Sequence, residues 1–153
     1  MSAPLPPSAP PSAATPLLRP AMALLAGLGV TVFVSGGGVL ITTLAALRDR
    51  DPNAFDPPMW YYATNLALTV AGSLAGGFTT SRITHGRSMF TVFVMALVVL
   101  MSGLAPVLRG THGAAGQPDW YPLSLAFAGP VAVIVGGLLE RRRPVATPAV
   151  RPG

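Results

Sequence analysis

Over most of this chain the apolar residues do not alternate with polar ones at either the helical or the strand period; they run on. Four stretches, Met22 to Leu47, Trp60 to Thr79, Met89 to Leu108 and Tyr121 to Leu139, contain no Asp, Glu, Lys, Arg or His. Each is close to or above the roughly 20 residues that an α-helix needs to cross about 30 Å of hydrocarbon. A helix on the surface of a soluble bundle would carry a polar face, and these stretches have none. The pattern predicts four membrane-spanning helices, at about 22–47, 60–79, 89–108 and 121–139, in an all-α integral membrane four-helix bundle.

The flanks read differently. Residues 1–20 hold seven prolines and few large apolar side chains, too little to offset the entropy of ordering. They are expected to be a disordered Pro/Ala-rich tail; with no basic segment ahead of an apolar run, they are not read as a signal peptide. Residues 141–153 are expected to form a second, basic disordered tail, which leaves 21–140 as the membrane domain.

Charge then sets an orientation. With the N-terminus inside, the cytoplasmic side holds Arg19, Arg82, Arg87, Arg141, Arg142, Arg143 and Arg151, against Arg48, Arg50 and Arg109 outside. That bias predicts both termini in the cytoplasm. Trp60 and Tyr61 open the second span and Trp120 and Tyr121 the fourth, at the outer headgroup depth that amphipathic rings prefer. Arg82 and Arg142 are the matching anchors inside.

Composition agrees with a bilayer as solvent. Charged residues make up 10% of the chain and mean hydropathy is +0.57, where soluble domains carry about 25% charge. All ten basic residues are arginine, which with the abundant Ala, Gly and Pro points to a GC-rich bacterial genome and hence to the inner membrane. The high pI does not imply nucleic acid, because the arginines flank apolar runs and do not cluster on one accessible surface. Absence of cysteine excludes disulfides, thiolate catalysis and iron–sulfur clusters.

Comparison of the chain with itself gives an offset of 60. Thr31-Val32-Phe33-Val34 recurs as Thr91-Val92-Phe93-Val94, and Pro58, Trp60, Tyr61, Gly76, Gly77 and Arg82 recur as Pro118, Trp120, Tyr121, Gly136, Gly137 and Arg142. There are fifteen identities over the 52 positions from Thr31 to Arg82. Any two apolar helices share Val and Leu, but Trp-Tyr, Gly-Gly and Arg at one offset point to two tandem two-helix repeats. Units of two spans insert in the same orientation, so a pseudo-two-fold along the membrane normal is expected, with spans two and four near the axis.

Small residues mark where those spans pack. Gly72 and Gly76 form GxxxG, Ser73 and Gly77 a second small-xxx-small pair, and Ala128, Ala132 and Gly136 continue the pattern in span four, where Gly137 is a further packing position. Lipid supplies no hydrophobic drive between helices, so close backbone approach must do so. Packing within one chain is favoured over a dimerisation face. The Gly36-Gly37-Gly38 run suggests a kink or a thin waist in span one, and Pro130 a kink in span four.

Candidate chemistry is sparse. No ionisable residue lies within a span, which argues against the proton-coupling glutamate of small multidrug exporters. His85 and His112 fall on opposite sides of the membrane, so they cannot ligate one haem, and His85 is expected to meet headgroups or water. Asp49, Asp51, Asp56, Asp119 and His112 in the outer loops match no metal-ligand spacing. Asn65, about one turn into span two, is expected to hydrogen-bond between helices. No catalytic residue, metal or cofactor is assigned.

The stretch from Ala75 to Arg82, Gly-Gly followed by an arginine and then an apolar span, resembles a Gly-Gly-x4-Arg pattern of small uncharacterised bacterial membrane proteins. That resemblance implies no activity. The function expected is a non-enzymatic accessory, assembly or scaffold subunit, whose partners are the lipid bilayer and a membrane protein or further copies of itself. The alternative is an oligomeric channel or facilitator lined by Thr31, Ser35, Thr42, Thr43, Thr64, Asn65, Thr69 and Ser73.

Overall fold

A computed structural model describes residues 15–48, 57–85, 89–109, 117–118 and 120–142. These are almost entirely helical: α1 (Thr15–Leu47), α2 (Met59–Ile83), α3 (Met89–Leu108) and α4 (Trp120–Arg141). At about 1.5 Å per residue the shortest, α3 with 20 residues, is about 30 Å long. By length and composition α1 (over Leu18–Leu47), α3 and α4 are apolar enough to cross a membrane.

α2 is not among them, and its packing explains why. It runs between α1 and α4, and α3 lies against α4 with lesser contacts to α1 and α2. The polar residues that lower its hydropathy are turned toward these neighbours: Asn65, Ser73, Thr80 and Ser81 are all buried. Its outward face carries Ala63, Ala67 and Ala71 in place of large apolar groups. Hydropathy averages over residue types and is blind to which face they occupy.

Helix direction follows from which residues meet. Thr42, Gly27 and Ala23 of α1 contact Asn65, Gly76 and Thr80 of α2, so these two are antiparallel. Gly137, Gly129 and Gly103 set α4 antiparallel to α3 through Val92, Val99 and Ala126. α2 and α4 are parallel, since Tyr62 meets Tyr121 and Gly77 meets Val133. The start of α1, the end of α2, the start of α3 and the end of α4 therefore share one end of the molecule.

The core is small. Val92, Met95, Ala96 and Val133 are buried together, with Leu24, Leu28, Met89, Val99 and Ile134 packed around them. Outside it, large apolar side chains face away from the protein: Phe33 is 82% exposed, Phe90 76% and Ile41 69%. Apolar surface on this scale marks a membrane or a partner interface.

The structure departs from the sequence reading in several places. α1 begins at Thr15, inside the stretch assigned to the N-terminal tail. Pro16 suits a first turn, where the missing N–H has no partner in any case, and Pro20 comes only one turn later. α2 and α4 extend beyond the expected inner ends, to Ile83 and Arg141. Residues 1–14 and 143–153 of the expected tails, and the loop residues Asp49, Arg50, Asp51, Asp56, Arg87, His112 and Asp119, lie outside the described residues.

Met95 is the core residue whose loss should be felt most. It is fully buried between three helices, with Thr80 Oγ1 3.1 Å from its sulfur. Met95→Ala should lower stability by about 2–5 kcal/mol in equilibrium unfolding from detergent. Phe93→Ala on the exposed face should change it by less than about 0.5 kcal/mol.

Candidate functional site

The residues singled out by sequence gather into two features, a glycine seam along α2 and an aromatic end. The seam exists because helix axes can approach only as far as their side chains allow. A Cβ at Gly76 would collide with the Thr31 hydroxyl, and would lie 2.6 Å from the Gly27 carbonyl oxygen and 2.8 Å from Met95 Cε. One at Gly72 would lie 2.9 Å from Ser35 Oγ and 3.1 Å from the Thr31 carbonyl oxygen. The α1-facing line of α2 is thus Asn65, Leu68, Gly72, Gly76 and Thr80, one residue per turn. Hydroxyls close it: Thr80 Oγ1 lies 3.2 Å from the Ala23 carbonyl oxygen, and Thr31 Oγ1 donates to the Gly27 carbonyl at 3.0 Å.

Gly77 faces the other way. A Cβ there would run into the backbone carbonyl of Val133 on α4, and one at Gly136 into the carbonyl of Leu74 on α2. Gly129 completes this second line, its missing Cβ 2.9 Å from Val99 and 3.5 Å from Ser73 Oγ. Ala132 is buried on the same helix. Two successive glycines therefore let α2 lie against α1 and α4 at once.

The two glycine pairs are not used alike. Rotating the first helix pair by 180° onto the second would set Gly136 on α3 and Gly137 on α2. Instead Gly136 meets Leu74 and Phe78 of α2, and a Cβ on Gly137 would lie 2.7 Å from Val92 of α3. Successive helical residues differ by about 100° around the axis, so α4 presents the neighbouring face. Bulk gives the reason: the position equivalent to Ser73 is Val133, which fits where Gly77 leaves room.

At the opposite end from Thr80 lies a row of rings. Trp60, Tyr61, Tyr62, Tyr121 and Trp120 follow one another edge to face, with centroids 6.3, 5.7, 4.8 and 5.9 Å apart. This is a preferred aromatic geometry, and the 4.8 Å step crosses from α2 to α4. Beneath it, Asn65 is 2% exposed. Its Oδ1 accepts from Thr42 Oγ1 at 2.7 Å, and its side chain also bonds the Tyr121 hydroxyl. Thr43 and the Tyr61 hydroxyl share a hydrogen bond at 2.9 Å. Asn65 thereby joins α1, α2 and α4 in one network, a three-helix role that its position in the sequence did not reveal.

Of the eight residues read as possible channel lining, Thr31, Asn65 and Ser73 are buried and the other five half-buried. Thr31, Ser35, Thr43 and Thr69 each donate to a backbone carbonyl of their own helix, and Thr42 donates to Asn65. The buried hydroxyls of Ser73 and Ser81 have no hydrogen-bond partner. At the Thr80 end Arg82 and Arg142 are exposed, and Arg19 donates to His85 Nε2 at 3.4 Å. Among the described residues no three of His, Cys, Asp and Glu are grouped to hold a metal ion. Against known families, curated proteins and solved structures, the chain finds no match in any of the three.

Substitutions separate the features. Gly77→Ala and Gly136→Ala each set a carbon on a backbone carbonyl and should cost about 1–3 kcal/mol. Gly29→Ala, with nothing within 4 Å, should cost nothing and stabilise by at most about 0.5 kcal/mol, below the roughly 0.5–1 kcal/mol usual in water. Asn65→Leu removes interhelical bonds worth about 0.6 kcal/mol each on average, with an upper range near 1.7. Midpoints of unfolding in mixed micelles read all four; equal effects at Gly29 and Gly77 would contradict the seam.

Proposed function

We propose that the chain is a non-enzymatic, four-span protein of a bacterial inner membrane, serving as an accessory, assembly or scaffold subunit for a membrane partner or for copies of itself. The observation that carries this reading is that most polar groups in the spans bond to one another or to their own backbone. Asn65 bonds Thr42 and Tyr121, Thr43 bonds Tyr61, and most other hydroxyls in the spans turn to their own backbone or into the seams, Ser73 and Ser81 being buried without a partner. A channel wall needs such groups on a face that water reaches, and a catalyst needs groups left available to substrate. What faces outward is apolar, the surface a membrane partner meets.

α2 is taken as the fourth span because it accompanies α1 from Asn65 to Thr80 and α4 from Tyr62 to Phe78. In a bilayer a helix enclosed this way need not be apolar by itself. The orientation reading rests on Arg19, Arg82, Arg141 and Arg142 sharing one end, against Arg48 and Arg109 with the tryptophans at the other. The fifteen identities support descent of both helix pairs from one duplicated pair, with the α4 face repacked afterwards.

Two measurements test this. Single cysteines at Ser8 and Gly116, in a chain with no cysteine of its own, should react with an impermeant maleimide from opposite sides; equal labelling in intact cells would remove the four-span topology. The tagged protein, purified in gentle detergent, should elute as a complex of fixed stoichiometry, and its proteoliposomes should pass no ions or small neutral solutes above empty vesicles. Solute flux would replace the scaffold reading with the channel one.

A further inference from the structure

At the end shared by the starts of α1 and α3, a groove separates the two helices. Pro20, Ala21 and Leu24 form one wall, Phe90, Thr91 and Val94 the other, and the volume is about 170 Å³. Further along, α1 and α3 close up where Gly27 approaches Met95. The groove opens beside the exposed side chain of Phe90. Its lining is almost wholly apolar. An apolar space of roughly 150 Å³ accepts a hydrocarbon the size of benzene, so this one takes a few methylenes of a longer chain.

The end of the molecule that holds the groove is basic. Arg19 precedes Pro20 directly, and its guanidinium is held by donation to His85 Nε2. His85 reaches it from the end of α2, in a left-handed backbone conformation with φ 52° that turns the chain back after the helix. Arg82 on the last turn of α2 and Arg141 and Arg142 at the end of α4 lie at the same end, with Glu140 the one carboxylate there among the described residues. Arginine matches phosphate oxygens with paired N–H donors, and basic pockets between helices are characteristic sites for anionic headgroups.

We propose that this groove is a docking site for an anionic phospholipid, one acyl chain lying between α1 and α3 and the headgroup phosphate at Arg19. The proposal rests on the membrane reading above. A zwitterionic lipid would fill the groove equally well but would gain less at Arg19, so the site selects by headgroup charge. A free phosphate would meet the arginine without the groove.

The test uses the full chain in neutral detergent at low ionic strength, with phosphatidylglycerol, phosphatidylcholine and inorganic phosphate as probes. Native mass spectrometry should show phosphatidylglycerol retained about fivefold over phosphatidylcholine, the preference one arginine near the surface confers. Phosphatidylglycerol should also raise the melting temperature, and inorganic phosphate at equal concentration should not. Arg19→Gln should bring the preference close to one, whereas Arg48→Gln at the opposite end should leave it intact. Ala21→Trp, at an exposed position on the groove wall, should abolish retention of either lipid; Ala21→Leu is the milder replacement if that variant does not accumulate. Equal retention of both lipids, an undiminished preference in Arg19→Gln, or a phosphate effect matching that of phosphatidylglycerol would each overturn the proposal. Alkaline carbonate extraction keeps the two readings apart. Protein released to the supernatant overturns the membrane reading and the lipid site together, whereas protein retained without lipid preference overturns the lipid site alone.

Discussion

At Gly76 and Gly77 two neighbouring residues of α2 rest against two different helices, one on Gly27 and Thr31 of α1, the other on Val133 of α4. Nothing bulkier than hydrogen fits at either position, and the placement of the remaining helices follows from this. Within lipid there is no water to expel between apolar surfaces, so helices adhere through dispersion contacts of about 0.1–0.2 kcal/mol per atom pair, summed over close approach. Glycine weakens a helix in water by about 1 kcal/mol relative to alanine. In hydrocarbon that weakness matters less, because an unpaired peptide group has no solvent to turn to and the helix is held by its own hydrogen bonds.

The polar side chains follow the same geometry. Close approach brings Thr80 to the Ala23 carbonyl and Thr42 to Asn65, so hydroxyls that would be costly toward lipid are satisfied across or along the seams. The aromatic row completes the opposite end of α2, since Tyr62 and Tyr121 can meet edge to face only where α2 and α4 start level. Ser73 and Ser81 stand apart, buried with no hydrogen-bond partner, and the structure offers no physical account of them.

Much of this architecture was legible in the chain. Long uncharged runs located the helices, since lipid imposes an absence of charge that composition alone reveals, and the glycine pairs marked α2 and α4 as the ones that pack closely. Other features were not legible. A hydropathy threshold misses α2, because Asn65 and Ser73 lower its average while facing inward. Self-comparison aligns Gly76 with Gly136 but carries no information on which neighbour each meets, and one step along a helix changes the answer. The start of α1 at Thr15 was hidden by prolines that a first turn tolerates. Asn65 was expected to bond between helices, but its contact with Tyr121 depends on a meeting of α2 with α4 that lies far from local in sequence.

The division of labour between the two faces of α2 has a bearing on how the molecule is made. A chain is synthesised from its N-terminus, and elements that emerge early must persist until their later neighbours arrive. The face of α2 that needs polar partners most, with Thr80 and the Oδ1 of Asn65, is served by α1, which is already present when α2 is completed. The face left waiting for α4 is chiefly Gly77 and Ser73, small groups that present little to an unwanted neighbour in the interval. Most of the polar bonds that α2 makes across helices thus fall within the first hairpin, and much of what that hairpin offers to α4 is small.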